Sequence, residues 1–161
     1  MKKLILVANF IIFGIIFLYS IIQKEDIISN AQQVILKLAP VDPRSLMQGD
    51  YMRLNFKLAR DIRYKIEGKK NLTLKKAVVT LNSQNIATLK SIYSNQKLEP
   101  NEIIINFKYK FGRVVIITDA WFFQEGEAKK FEKAKYGEFR INKNGVGLLI
   151  GVLDKNLDRI E

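Results

Sequence analysis

Tyr51-Met52-Arg53-Leu54-Asn55-Phe56-Lys57-Leu58 alternates in character: Met52, Leu54, Phe56 and Leu58 are apolar, while Tyr51, Arg53, Asn55 and Lys57 carry polar groups. A period of two puts successive side chains on opposite faces of an extended chain. The stretch predicts a β-strand, opened by Gly49-Asp50, with one dry face on a core and one wet face. Working outward, the same signature recurs. Residues 74–81 and 86–93 flank Asn82-Ser83-Gln84-Asn85, a four-residue loop of turn formers, and predict a hairpin. Residues 103–109 and 114–118 are β-branched and aromatic runs joined across Phe111-Gly112, expected as central strands, with Trp121-Phe122-Phe123 ending the apolar stretch in the core. Residues 136–141 and 146–153 flank Lys143-Asn144-Gly145, where Asn-Gly is a strong hairpin signal.

Between these runs the pattern changes. Residues 124–135 predict a helix of about three turns, with Glu125 and Glu127 at its start, lysines toward its end, and Ala128, Phe131 and Ala134 on the sheet. Residues 59–70 are charged and reach Gly68, which suits a loop or short helix. Upstream, residues 34–38 read as a first strand, and Pro40 and Pro43 then forbid regular helix around Asp42. The expected fold is mainly β (α+β): an N-terminal transmembrane helix, then an antiparallel sheet or barrel-like domain with one packed helix.

Residues 4–22 contain no charged side chain, and nineteen residues wound into a helix match a bilayer's hydrocarbon core. The apolar run continues into Tyr19-Ser20-Ile21-Ile22-Gln23-Lys24 with no small-x-small cleavage site, so an uncleaved signal anchor is expected. Lys2 and Lys3 precede it, whereas Glu25 and Asp26 outweigh Lys24 after it. The positive-inside rule therefore keeps the N-terminus in the cytoplasm. The organisation becomes 1–23 cytoplasmic N-terminus and anchor, 24–33 juxtamembrane stalk, and 34–161 one extracytoplasmic β domain. The expected location is the cytoplasmic (inner) membrane, single-pass. Asn9 and Gly14 inside the span suit either a contact with another membrane helix or simple tolerance.

The 161 residues include no cysteine and no histidine. Disulfide scaffolds, the usual zinc sites, iron–sulfur clusters and histidine-based nucleophile systems are thereby excluded, and no cofactor is expected. The net charge is +11, of which Lys2 and Lys3 supply two. Such a surface attracts anionic headgroups or polymers. The basic residues are scattered, though, in a chain rich in Lys, Ile and Asn, which favours compositional drift, and no nucleic-acid motif interleaves them with aromatics.

Gly49-Asp50-Tyr51-Met52-Arg53-Leu54-Asn55-Phe56 resembles the string that names the GDYXXLXY protein family, matching four of its five fixed places. Phe56 departs from the final Tyr, keeping the ring and losing the hydroxyl. The stretches 39–46, 122–126 and 134–138 also look like that family, so the resemblance covers nearly the whole chain. It implies a membrane-anchored bacterial protein of unknown biochemical function, often encoded beside multi-span membrane proteins. A bilayer and a multi-span membrane protein are thus the implied partners, with no nucleic acid.

Asp42, Arg44, Asp50, Tyr51, Glu125, Tyr136 and Glu138 lie in the family-like stretches. Arg44, Asp50, Tyr51, Glu125 and Tyr136 form the candidate binding site, in which paired carboxylates would hold a cation or move a proton and Arg44 would clamp an anion. The structural counterpart of each is ordinary: Asp50 satisfying turn amides, Glu125 a helix start, Arg44 a carboxylate. The leading expectation is a non-catalytic accessory or binding domain. The alternative is a hydrolase or small-ligand protein using Asp50 and Glu125. Residues 44–50 are also faintly similar to the segment after the nucleophile of signal peptidases, but Val41 stands at the nucleophile's place.

Overall fold

The computed structural model describes residues 2–39, 47–48, 51–67, 75–110 and 112–161, with side chains described from Val7 onward except at positions 8, 47 and 48. In chain order the elements are α1 (Lys2–Asn30), β1 (Gln32–Lys37), β2 (Met47–Gln48), β3 (Tyr51–Arg53), α2 (Lys57–Ile66), β4 (Lys75–Leu81), β5 (Ala87–Ile92), β6 (Glu102–Lys110), β7 (Arg113–Ile116), β8 (Ala120–Phe122), α3 (Ala128–Phe131), β9 (Tyr136–Ile141) and β10 (Gly147–Leu153). The fold is mainly β, and every strand pairing within its sheets is antiparallel.

Three sheets replace the single expected one. Their orders are β1-β9-β10, β2-β3-β8 and β5-β4-β6-β7. Short connections stitch them together. The Ile35 N–H donates to the Asn85 carbonyl at 2.8 Å, joining the first sheet to the third, and the Leu54 N–H donates to the Asp119 carbonyl at 2.8 Å beside the second. Between the sheets lies one core. Val34, Leu36, Phe139 and Val152 enter it from the first sheet, Ala77, Val79, Ile105 and Phe107 from the third, and Leu58, Ile62 and Ile66 from α2.

The alternating stretch is right about burial and wrong about conformation. Met52, Leu54, Phe56 and Leu58 are all buried, yet the strand ends at Arg53. Phe56 is the last extended residue, at φ −88° and ψ 137°, and α2 starts at Lys57. From Leu58 on, Ile62 and Ile66 repeat every fourth residue, the stripe of an amphipathic helix, so the helical period takes over while the inward side is kept. Leu58 belongs to both patterns.

Phe56 itself sits edge-on to Phe139, with centroids 5.4 Å apart. Gly137 makes room: a Cβ there would meet the Phe56 ring at 3.0 Å and the Phe139 ring at 3.1 Å. The departure from the family's Tyr therefore falls on a ring held in the core by apolar neighbours.

Both hairpin signals, at Asn82 and beside Asn142, hold. In each turn one Asn Oδ1 accepts the N–H groups two and four residues on: Gln84 and Ile86 from Asn82, Asn144 and Val146 from Asn142. Asp154 repeats the device with Asn156 and Asp158. The residue three places on has positive φ in every case, at Asn85, Gly145 and Leu157.

Other expectations need correction. The three-turn helix shrinks to the single turn α3, because Gly126 takes φ +85° and the Glu127 N–H closes a turn onto the Gln124 carbonyl. Phe131 and Ala134 are nonetheless buried as expected. β7 is an edge strand rather than a central one. Of the aromatic trio, Phe123 stacks on Phe131 at 5.1 Å and Trp121 packs at 6.3 Å, but Phe122 is 75% exposed. Gln23 to Asn30 continues α1.

The N-terminal expectation also changes. Among the described residues no helix is long and apolar enough to cross a membrane. At its C-terminal end the apolar run meets Gln23-Lys24-Glu25-Asp26. What is described is a 29-residue α-helix whose large apolar side chains stand exposed up to Ile22.

Candidate functional site

The candidate residues read from the sequence do not assemble into one described site. Arg44 and Asp50 lie outside the described residues, as does Asp42. Tyr51 stands on β3 opposite Phe122, their rings 5.7 Å apart. Glu125 is exposed in the turn before α3, two residues short of that helix's N-cap. Tyr136 begins β9, in a different sheet from Tyr51, paired with Lys37 on one side and Leu153 on the other. Among the described residues no group of three or more acidic side chains is placed to hold a metal ion.

Glu138 is the family-region acid with a defined chemical setting. It is buried on β9, where Gln33 Nε2 donates to its Oε1 at 2.7 Å and Arg159 Nη2 donates to its Oε2 at 2.7 Å. Gln33 accepts in turn from Asn85 Nδ2 at 3.3 Å. Burial pushes the Glu138 carboxyl up, but the hydrogen bonds from Arg159 and Gln33 and the charges of Arg159 and Arg140 outweigh it and hold the group below the usual carboxylate range. A carboxylate with both oxygens occupied is poorly placed to act as a base. It ties β1, β9 and the C-terminal segment together.

A second acid, Glu102 at the start of β6, is answered in the same way. Lys90 pairs with it and with Glu99, and the Glu99 N–H donates to Glu102 Oε2 at 3.1 Å. The hydrogen bond from Lys90 and that backbone N–H hold Glu102 low.

The arrangement the sequence did not reveal is a cleft of about 370 Å³ between α2, β7 and the end of β3. Leu54, Phe56 and Ile116 contribute apolar atoms to its lining, and among the described residues Arg53, Arg60, Arg63 and Arg113 line it with charge, against one acid, Asp119. Helical spacing explains half of this. Burying Leu58, Ile62 and Ile66 leaves Arg60 and Arg63 on the outer side of α2, three residues apart on one face. Strand geometry supplies the rest: Arg53 ends β3 and Arg113 opens β7, across the lip of the cleft. The first turn of α2 borders the same space through Phe56, Ala59 and Arg60, and its N-cap makes no side-chain hydrogen bond. Among the described residues none of the four guanidiniums has an ion-pair or hydrogen-bond partner.

The one early hint is Arg60-x-x-Arg63, which becomes a shared face only once residues 57–66 are read as helix. A family model described as GDYXXLXY protein matches residues 14–152. The chain belongs to that family. Comparison with curated proteins and with solved structures gives no match. The GDYXXLXY match spans α2, β7 and every residue of the cleft, together with Glu138, while Arg159 falls beyond its end.

Proposed function

We propose that this GDYXXLXY protein is a membrane-anchored binding module. α1 holds it in a bilayer with the N-terminus on the cytoplasmic side, and the β domain stands outside as a non-catalytic accessory to a membrane protein partner. One observation supports the reading. Phe10, Ile11, Ile12, Phe13, Ile15, Ile16, Phe17, Leu18, Tyr19, Ile21 and Ile22 of α1 are all between 42% and 81% exposed. They leave no polar face to turn to water, and a helix apolar all round belongs in a protein core or in lipid. The chain's own domain covers only the far end of α1, at Ile27.

The absence of cysteine gives a clean test. With Asn144→Cys as the sole thiol, a membrane-impermeant maleimide should label whole cells, and the protein should need detergent to leave the membrane fraction. Labelling only after lysis would refute the orientation, and release without detergent would refute the anchor. The accessory role is tested separately by mild solubilisation of tagged protein with its gene neighbours co-expressed. Emergence of the protein alone would remove that role.

A further inference from the structure

We infer that the cleft between α2 and β7 is a binding site for a diphosphate-type anion, read by arginine forks. Two arguments carry it. The first is composition. The chain has twenty lysines and seven arginines, yet the described lining of the cleft holds four arginines and no lysine. Four cations drawn at random from this chain would all be arginine about once in five hundred draws, so drift toward lysine does not account for the site. Arginine differs from lysine in presenting a planar fork of donors that matches phosphoryl and carboxylate oxygens two at a time.

The second argument is electrostatic. Among the described residues Arg53, Arg60, Arg63 and Arg113 share the lining with one acid, Asp119, and no carboxylate pairs with any of them. Like charges gathered round one concavity repel one another, and an incoming anion relieves that repulsion. Among the described lining residues the positive charges exceed the negative by three, which suits a ligand carrying two phosphoryl groups. The volume of about 370 Å³ lies in the range of small-molecule sites and exceeds what a single phosphate fills. Apolar atoms of Leu54, Phe56 and Ile116 in the lining lower the local dielectric and strengthen each contact.

This assignment deepens the binding-module reading by naming what is bound, but its test needs neither partner nor orientation. Full-length protein in neutral detergent is titrated calorimetrically with pyrophosphate, with citrate as a carboxylate of similar charge. Saturable binding of pyrophosphate, tighter than citrate, is expected. Arg60→Gln with Arg113→Gln should weaken it by about tenfold or more. Arg60→Lys with Arg113→Lys should also weaken it severalfold, because charge is kept and the fork is lost. Lys129→Gln with Lys130→Gln removes the same charge elsewhere and should leave it within about twofold. Both arginines are exposed, and melting curves followed by circular dichroism establish that the variants fold. No saturable binding, equal losses in the distant lysine variant, or full affinity in the Arg→Lys variant would each overturn the assignment. Farnesyl diphosphate in the same micelles then separates two sources of one chemistry: competition tighter than that of pyrophosphate supports a lipid diphosphate, and competition no tighter supports a soluble diphosphate ester. A failed titration leaves the anchor intact, and failed co-purification leaves the cleft intact.

Discussion

The six described arginines divide between two places that treat charge in opposite ways. Arg140 and Arg159 surround a buried acid: Arg159 bonds Glu138 directly, and Arg140 adds its field while donating to the Ala31 carbonyl at 3.3 Å. Arg53, Arg60, Arg63 and Arg113 surround open space and one exposed aspartate. The first group finishes the fold's own polar accounts. The second leaves them open to something outside the chain. The contrast teaches that what separates a structural arginine from a binding one here is whether the protein supplies its counter-ion, more than its degree of exposure.

The strongest way to break the comparison is to strip the answered site of its cation. Arg159→Leu should cost about 2 kcal/mol in chemical denaturation, because it leaves the buried Glu138 carboxylate with Gln33 as its sole described hydrogen-bond donor. Glu138→Gln should cost less, about 1 kcal/mol, since the half-exposed Arg159 can then turn to solvent. A reversed order would show that the pair is held by the arginine's packing instead of by the acid's desolvation.

Acid provides the next test. Glu138 is held below its unfolded value, so its contribution is complete above the ordinary carboxylate pKa of 4.5 and fades as pH falls through the lower folded value. Glu102 and Glu127 are lowered too, by Lys90 and Lys130, and work in the same direction. In Arg159→Leu the guanidinium's downward pull on the Glu138 carboxyl is gone while burial still pushes it up, so the carboxylate's pH-dependent contribution shrinks. Thermal melts from about pH 7 down to about pH 3 should therefore show the gap between the two proteins narrowing on the acid side. A constant gap would mean that Arg159 stabilises by packing alone.

The smallest expected effect belongs to the open site. Arg60→Gln with Arg113→Gln should change stability in the absence of anion by no more than about 0.5 kcal/mol, or raise it slightly as repulsion falls. A loss as large as that of Arg159→Leu would place these side chains among the structural arginines and erase the distinction.

The sequence carried the closed side of this comparison better than the open one. Hairpins at Asn82 and Asn142 were legible because an Asx side chain and a positive-φ residue are local devices, complete within five residues. The inward side of residues 52–58 was legible for the same reason, although two periodicities share Leu58 and only the packed helix decides between them. The cleft was not legible. Arg53, Arg60 and Arg63 meet Arg113 from fifty residues away, and that meeting depends on α2 lying beside an edge strand, a tertiary choice that no local pattern encodes. Glu138 was singled out for its family-like surroundings, but its partners Gln33 and Arg159 come from opposite ends of the domain. Glu125 misled because Gly126, seen as one residue of a helix, is the residue that stops it.

The turn at Asp154 brings the last residues back across β10, where the Ile160 N–H donates to the Val152 carbonyl at 3.0 Å and Ile160 is buried. Leu157, at φ 71°, occupies the position that Asn85 and Gly145 fill in the two sister turns, a conformation unfavourable for a branched side chain. The tail therefore works as a sprung hasp: its pin is Arg159 in the Glu138 carboxylate, and its spring is the leucine backbone. With the pin withdrawn, Glu138 would keep Gln33 of β1 as its described donor, so a change at the C-terminus would be felt as far away as β1.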